Sequence, residues 1–117
     1  MKTNEYIPLL LERLRAIHPY KVILFGSCAY GKIQPDSDID VLVVTDSDAF
    51  PQNYQERSEL YLNVSSVIRD IRSQVPVDLI VHTRSMHKKF IELGSMFSQE
   101  ILQKGKILYE ADNKRMV

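Results

Sequence analysis

Three short apolar runs constrain this chain more than anything else in it: KVILF at 21–25, IDVLVV at 39–44 and VDLIV at 77–81. Each is short, apolar and supplied with β-branched residues, the pattern of a buried strand. Two of the runs carry an acid inside them, Asp40 and Asp78, and Asp38 stands two residues before Asp40. A carboxylate in such a place is costly unless a cation or a set of donors satisfies it. The chain must therefore fold into a sheet that finds a use for these acids.

The rest of the chain reads as helices laid between the strands. Ile7, Leu10, Leu11, Leu14 and Ile17 recur at helical spacing, with Pro8 in the first turn and His18-Pro19 ending the helix. Residues 26–37 read as a turn or very short helix followed by loop. Residues 52–74 carry Leu60, Val64, Val67, Ile68 and Ile71 on one side and charges on the other, which predicts one long amphipathic helix. Thr83 or Ser85 caps a helix reaching Leu93, and Ser95 or Ser98 caps another reaching Lys104. Gly105 ends it, and 106–109 adds a short edge strand. The expected fold class is α/β (α+β): a small mixed sheet of three to four strands with helices packed on it, in one domain over residues 1–117 whose core spans about 20–110.

Composition narrows the function. Lys plus Arg equals Asp plus Glu at 15 each, so a long nucleic acid is a poor substrate. The lone Cys28 cannot close an internal disulfide, which agrees with a reducing, cytoplasmic setting. The start MKTNEYIPLL does not read as a signal peptide, and no apolar run is long enough to span a membrane.

In a strand, residues two apart share a face, so Asp38 and Asp40 should present their carboxylates side by side. Their repulsion would be relieved by a hard divalent cation, Mg²⁺ or Mn²⁺, and the chain has no Cys/His cluster that would favour zinc. If the third strand lies beside the second, Asp78 completes a three-carboxylate set. Such a set suits two metal ions about 3.5–4 Å apart in phosphoryl or nucleotidyl transfer. Gly26 permits a sharp turn and close backbone approach to a phosphate, and Ser27 offers a hydroxyl and an N–H there. Simpler roles exist for the same residues: Asp38 and Asp40 as turn formers, Asp78 paired with Arg69 or Arg72, and Cys28 as a packing residue. His82 shares the Asp78 face, while His18 and His87 read as surface residues.

Gly26-Ser27, ten residues, then Asp38-Ile39-Asp40, with the later strand acid Asp78, resembles the signature of the DNA polymerase beta-type nucleotidyltransferases. The short length and the segment GSMFSQEILQKGKILYE are similar to its minimal nucleotidyltransferase branch. That resemblance implies a palm-like fold and transfer of AMP from ATP, with two Mg²⁺ ions. It also implies, for many members, service as the antitoxin of a helical HEPN-type ribonuclease toxin that is adenylylated on tyrosine, and so a hetero-oligomer with that partner. By the same resemblance Gly26, Ser27 and Lys32 hold the nucleotide, and Asp38, Asp40 and Asp78 are the metal-binding catalytic acids. The chain departs from the family's GS-x-A-R-G at Tyr30, where arginine is usual; Lys32 stands two residues on. Two other functions stay open: a binding-only antitoxin, and a nucleotidyltransferase acting on a small molecule such as an aminoglycoside.

Overall fold

A computed structural model describes residues 3–29 and 37–111. A 3-10 turn over Thr3–Tyr6 leads into helix α1, Ile7–Arg15, with Pro8 in its first turn as expected. Strand β1, Lys21–Phe25, follows His18, which adopts a left-handed φ of 52° just ahead of Pro19. Strand β2 is Ile39–Thr45, helix α2 Tyr54–Ser65, the single turn α3 Arg69–Arg72, and strand β3 Val77–Thr83. Helices α4, Arg84–Leu93, and α5, Met96–Lys104, then bring the chain to strand β4, Lys106–Glu110.

The capping residues are those the sequence offers. Asn53 accepts from the Glu56 N–H at the start of α2, Thr83 from the Met86 N–H at α4, and Ser95 from the Ser98 N–H at α5. Of the paired alternatives, Thr83 and Ser95 are the caps; Ser85 and Ser98 lie inside their helices. Gly94, with φ 61°, closes α4 in the left-handed conformation that lets α5 start at once.

The helix expected to run unbroken over 52–74 is interrupted. A 3-10 turn at Ser66–Ile68 separates α2 from α3, and Ile68 leaves helical geometry at φ −116°, ψ 18°. Ser65 and Ser66 turn their hydroxyls back onto the carbonyls of Leu62 and Asn63, a habit of serine that competes with the helical ladder. The apolar positions keep their common side despite the break.

The sheet has the order β3-β2-β1-β4. Strands β1 and β2 are antiparallel, β1 and β4 are antiparallel, and β2 and β3 are parallel. The segment carrying α2 and α3 is thus the crossover that a parallel pair requires. One face of the sheet (Val22, Leu24, Val41, Val43, Val77, Val81) meets Leu10 and Leu14 of α1, Val64 of α2 and Ile71 of α3 in the larger core. The other face (Ile23, Leu42, Val44 and Ile80) meets Phe90 of α4 and Ile101 of α5 in a smaller one. Helices therefore cover both faces, and the second face is where the acids lie. Among the described residues no helix is long and apolar enough to cross a membrane.

Candidate active site

Parallel pairing places Ile39 beside Val77 and Asp40 beside Asp78. Alternation along β2 puts Ile39, Val41 and Val43 into the larger core, so Asp40 points to the other face, with Leu42 two residues on. The same holds for Asp78 on β3, with Ile80 following. The two acids are thus neighbours at the start of parallel strands, at the end of a face that α4 and α5 cover farther along.

Their electrostatics follow from this placement. Burial, a side-chain hydrogen bond with Asp78, and the negative charges of Asp78 and Asp38 together push the Asp40 pKa up to about 6. None of the ion pairs seen among the described residues involves these acids: they are Arg13–Asp70, Lys21–Glu110, and Arg84 with Asp46 and Asp48. The pairing of Asp78 with Arg69 or Arg72 weighed above is thus absent among the described residues.

Asp38 stands just before β2 with an exposed side chain. Among the described residues no three His, Cys, Asp or Glu side chains gather tightly enough to hold an ion by themselves. The donor set is a close pair, Asp40 and Asp78, with Asp38 farther out but near enough to raise the Asp40 pKa. That set fits Mg²⁺, which binds through one or two carboxylates together with substrate phosphates rather than in an all-protein cage. A divalent cation would also relieve the repulsion that lifts the Asp40 pKa.

Gly26 follows β1 at φ 69°, and a Cβ built on it would collide with the Oδ2 of Asp40. Both facts demand glycine, the second because the backbone of the turn lies directly against the acid. Gly26–Cys28 forms one 3-10 turn, closed by the Ala29 N–H donating to the Gly26 carbonyl at 3.1 Å. The helical turn expected here is only three residues long, so it offers single N–H groups and the half-exposed Ser27 hydroxyl rather than a helix dipole. Lys32, Tyr30 and Asp36 lie outside the described residues.

Cys28 is buried, and burial, followed by the charges of Asp40 and Asp38, raises its thiol pKa. The thiol stays protonated, as befits a packing residue. It donates to the Asp38 carbonyl at 3.4 Å.

His82 does share the Asp78 face, but its contacts are with α4. Its ring stands 5.0 Å from Phe90, and its Nδ1 lies 3.2 Å from the Nδ1 of His87. His87, read above as a surface residue, is only 6% exposed. Burial, then the nearby His82 and Lys21, drives its pKa down to about 4. Its position on α4 between charged neighbours Arg84, Lys88 and Lys89 hid it. The spacing of His87 to Phe90, one helical turn, was the available signal. Phe90 in turn meets Phe97, and Phe97 meets Phe25, the residue before Gly26. Sequence reasoning missed this aromatic chain, which joins α4 and α5 to the strand end beside the acids.

A mixed four-stranded sheet thus sets paired strand acids against a glycine-serine turn. Comparison with known proteins gives the family to which this fold belongs. The family model described as "Polymerase beta, Nucleotidyltransferase" matches residues 10–114. A relative from Methanocaldococcus jannaschii, named "Putative protein adenylyltransferase MJ0604", is 34% identical over 106 residues, covering 91% of this chain and 93% of that protein. A Sulfolobus solfataricus structure named a "putative nucleotidyltransferase" superposes with a TM-score of 0.58 at 21% identity, over 92% of this chain and 79% of that one. A toxin–antitoxin structure with AMP-PNP gives 0.54 at 22% identity, over 97% and 78%. This chain belongs to the polymerase beta nucleotidyltransferase family, and it is a transferase.

Proposed function

We propose that this nucleotidyltransferase moves AMP from ATP, with Mg²⁺, onto a tyrosine hydroxyl of a partner protein, a HEPN-type toxin that it silences as an antitoxin. The observation that carries the chemistry is the in-register pair Asp40–Asp78 set against Gly26. The protein acceptor is supported by the adenylyltransferase name of the 34%-identical relative, and the toxin by the resemblance described above.

In this reading Asp38 and Asp40 hold the metal ions and Asp78 shares the catalytic one; the metal supplies positive charge at the phosphates and lowers the pKa of the attacking hydroxyl. Gly26 and Ser27, joined by Lys32, hold the triphosphate. The acceptor oxygen attacks the α-phosphorus, the bond from that phosphorus to the bridging oxygen breaks, and pyrophosphate leaves. Asp78, exposed beside Asp40, receives the hydroxyl proton. The acid pair would work in the cytoplasm, where ATP is abundant and Cys28 stays reduced.

The test is incubation with α-labelled ATP, Mg²⁺ and the product of the adjacent gene. Label should appear on that partner and vanish with Asp38→Ala/Asp40→Ala. Absence of label, or equal label with the double variant, rejects the reading. Tyr30 in place of the family's arginine favours a second possibility, antitoxin action by binding alone. That possibility requires the double variant to neutralise the toxin as well as the wild type does.

A further inference from the structure

Asp38 differs from the other two acids in what holds it. Asp40 and Asp78 are fixed inside strand ladders, whereas Asp38 precedes β2 and its side chain is exposed. The direction of a residue's Cα–Cβ bond is set by its own φ and ψ, and these are set by the two peptide planes flanking its Cα. Both planes flanking Asp38 are tied down. The plane between residues 37 and 38 is held through the Ser37 carbonyl, which accepts from the Thr3 hydroxyl at 3.1 Å. The plane between 38 and 39 is held at both ends. The Asp38 carbonyl accepts from Cys28 Sγ at 3.4 Å, and the Ile39 N–H donates to the Pro76 carbonyl at 3.0 Å.

We propose that Thr3 and Cys28 are positioning residues for Asp38, fixing its backbone so that its exposed carboxylate is aimed at the metal and nucleotide beside Asp40. This rests on the reading of Asp38 as a metal ligand. Both donors are themselves buried, Thr3 at 2% and Cys28 at 7% exposure, so the core fixes where each donor sits. They arrive from separate elements, Thr3 from the N-terminal 3-10 turn and Cys28 from the turn after β1. The ordering cost of an exposed acid is thereby met by the core rather than by the acid's own contacts. Partners that bond a metal ligand directly control affinity by about tenfold or more, and partners that act through its backbone should have a smaller effect.

The test is Mn²⁺ binding to the full chain with a non-hydrolysable ATP analogue, followed by the electron paramagnetic resonance of free Mn²⁺, alongside the thermal midpoint of each variant. Thr3→Val and Cys28→Ala should each weaken Mn²⁺ binding by about three- to tenfold, Thr3→Ser should bind as the wild type does, and amide exchange at Ile39 should quicken. Lowered thermal midpoints with unchanged Mn²⁺ affinity would show a purely structural tether and overturn the proposal. Because the two donors lie on different elements, Cys28→Ala decides the matter should Thr3→Val fail to fold. Asp38→Asn separates the two levels. If it weakens binding while the Thr3 and Cys28 variants do not, the positioning role alone falls; if it too changes nothing, the metal-site reading falls with it.

Discussion

The acid-bearing face of the sheet carries two pairs of titratable side chains that meet opposite fates. At the start of β2 and β3, Asp40 and Asp78 lie side by side at an open strand end. Farther along β3, His82 reaches His87 beside the ring of Phe90, which in turn meets Phe97. Burial pushes Asp40 in the first pair and His87 in the second toward their neutral forms, the Asp40 pKa up to about 6 and the His87 pKa down to about 4. The difference lies in what surrounds them. The histidines pack against the Phe90 ring, and the buried His87 Nε2 has no hydrogen-bond partner among the described residues. The acids face a glycine turn at the strand ends, and the Asp78 side chain is exposed. One pair is consumed by the core, and the other stays at its edge.

Substitution should separate the pairs cleanly. Asp40→Asn should cost about 10²–10³-fold in labelled-AMP transfer, or about 3–4 kcal/mol of barrier, while leaving the thermal midpoint unchanged or raised because a repulsive charge is gone. Phe90→Ala should do the reverse. Its half-buried ring links the histidines to Phe97, so calorimetry should show a loss of about 2–3 kcal/mol in stability with transfer per folded molecule little changed. Gly26→Ala tests the boundary between the two behaviours. A Cβ in the left-handed region and against Asp40 should cost about 1–3 kcal/mol by denaturant titration and also depress transfer, since the acid must move.

The smallest effect is in the pH profile of stability without metal, and its sign differs between the pairs. Asp40, with its folded pKa raised from 3.8, contributes stability fully present below that value and lost as pH rises through about 6. His87, lowered from 6.5, contributes stability fully present above 6.5 and lost as pH falls toward about 4. The two slopes oppose one another in the same window. Asp40→Asn should therefore unmask a loss of stability on acidification, and His87→Phe a loss on raising the pH, both read from thermal midpoints between pH 4 and 7. Parallel slopes in the two variants would contradict the assignment.

Much of this contrast was legible in the sequence, though unevenly. The strands were readable because short β-branched runs bounded by Gly26 and Pro76 have few other fates. The i, i+2 spacing points to Asp38 beside Asp40 with Asp78 as a third acid, whereas the adjacent pair is Asp40 and Asp78, each the second residue of its run and brought together by the in-register parallel pairing. The break at Ser66–Ile68 was not readable, because serine hydroxyls turning back on the helix leave the apolar spacing intact. His87 was misread because its charged neighbours masked a helical face shared with Phe90. The hold of Thr3 on Ser37 spans 34 residues and leaves no local mark at all.

Consider finally the register of β2 against β3. Side chains alternate between faces, so a slip of one residue would turn Asp78 into the apolar layer formed by Leu10, Val41 and Val43. A carboxylate stranded there costs several kcal/mol, whereas the same slip in an all-valine strand would cost little. The acids thus proofread the fold against the smallest slip: a chain that zips the parallel pair one residue out of step strands Asp78, whereas the in-step pairing brings Asp40 and Asp78 together.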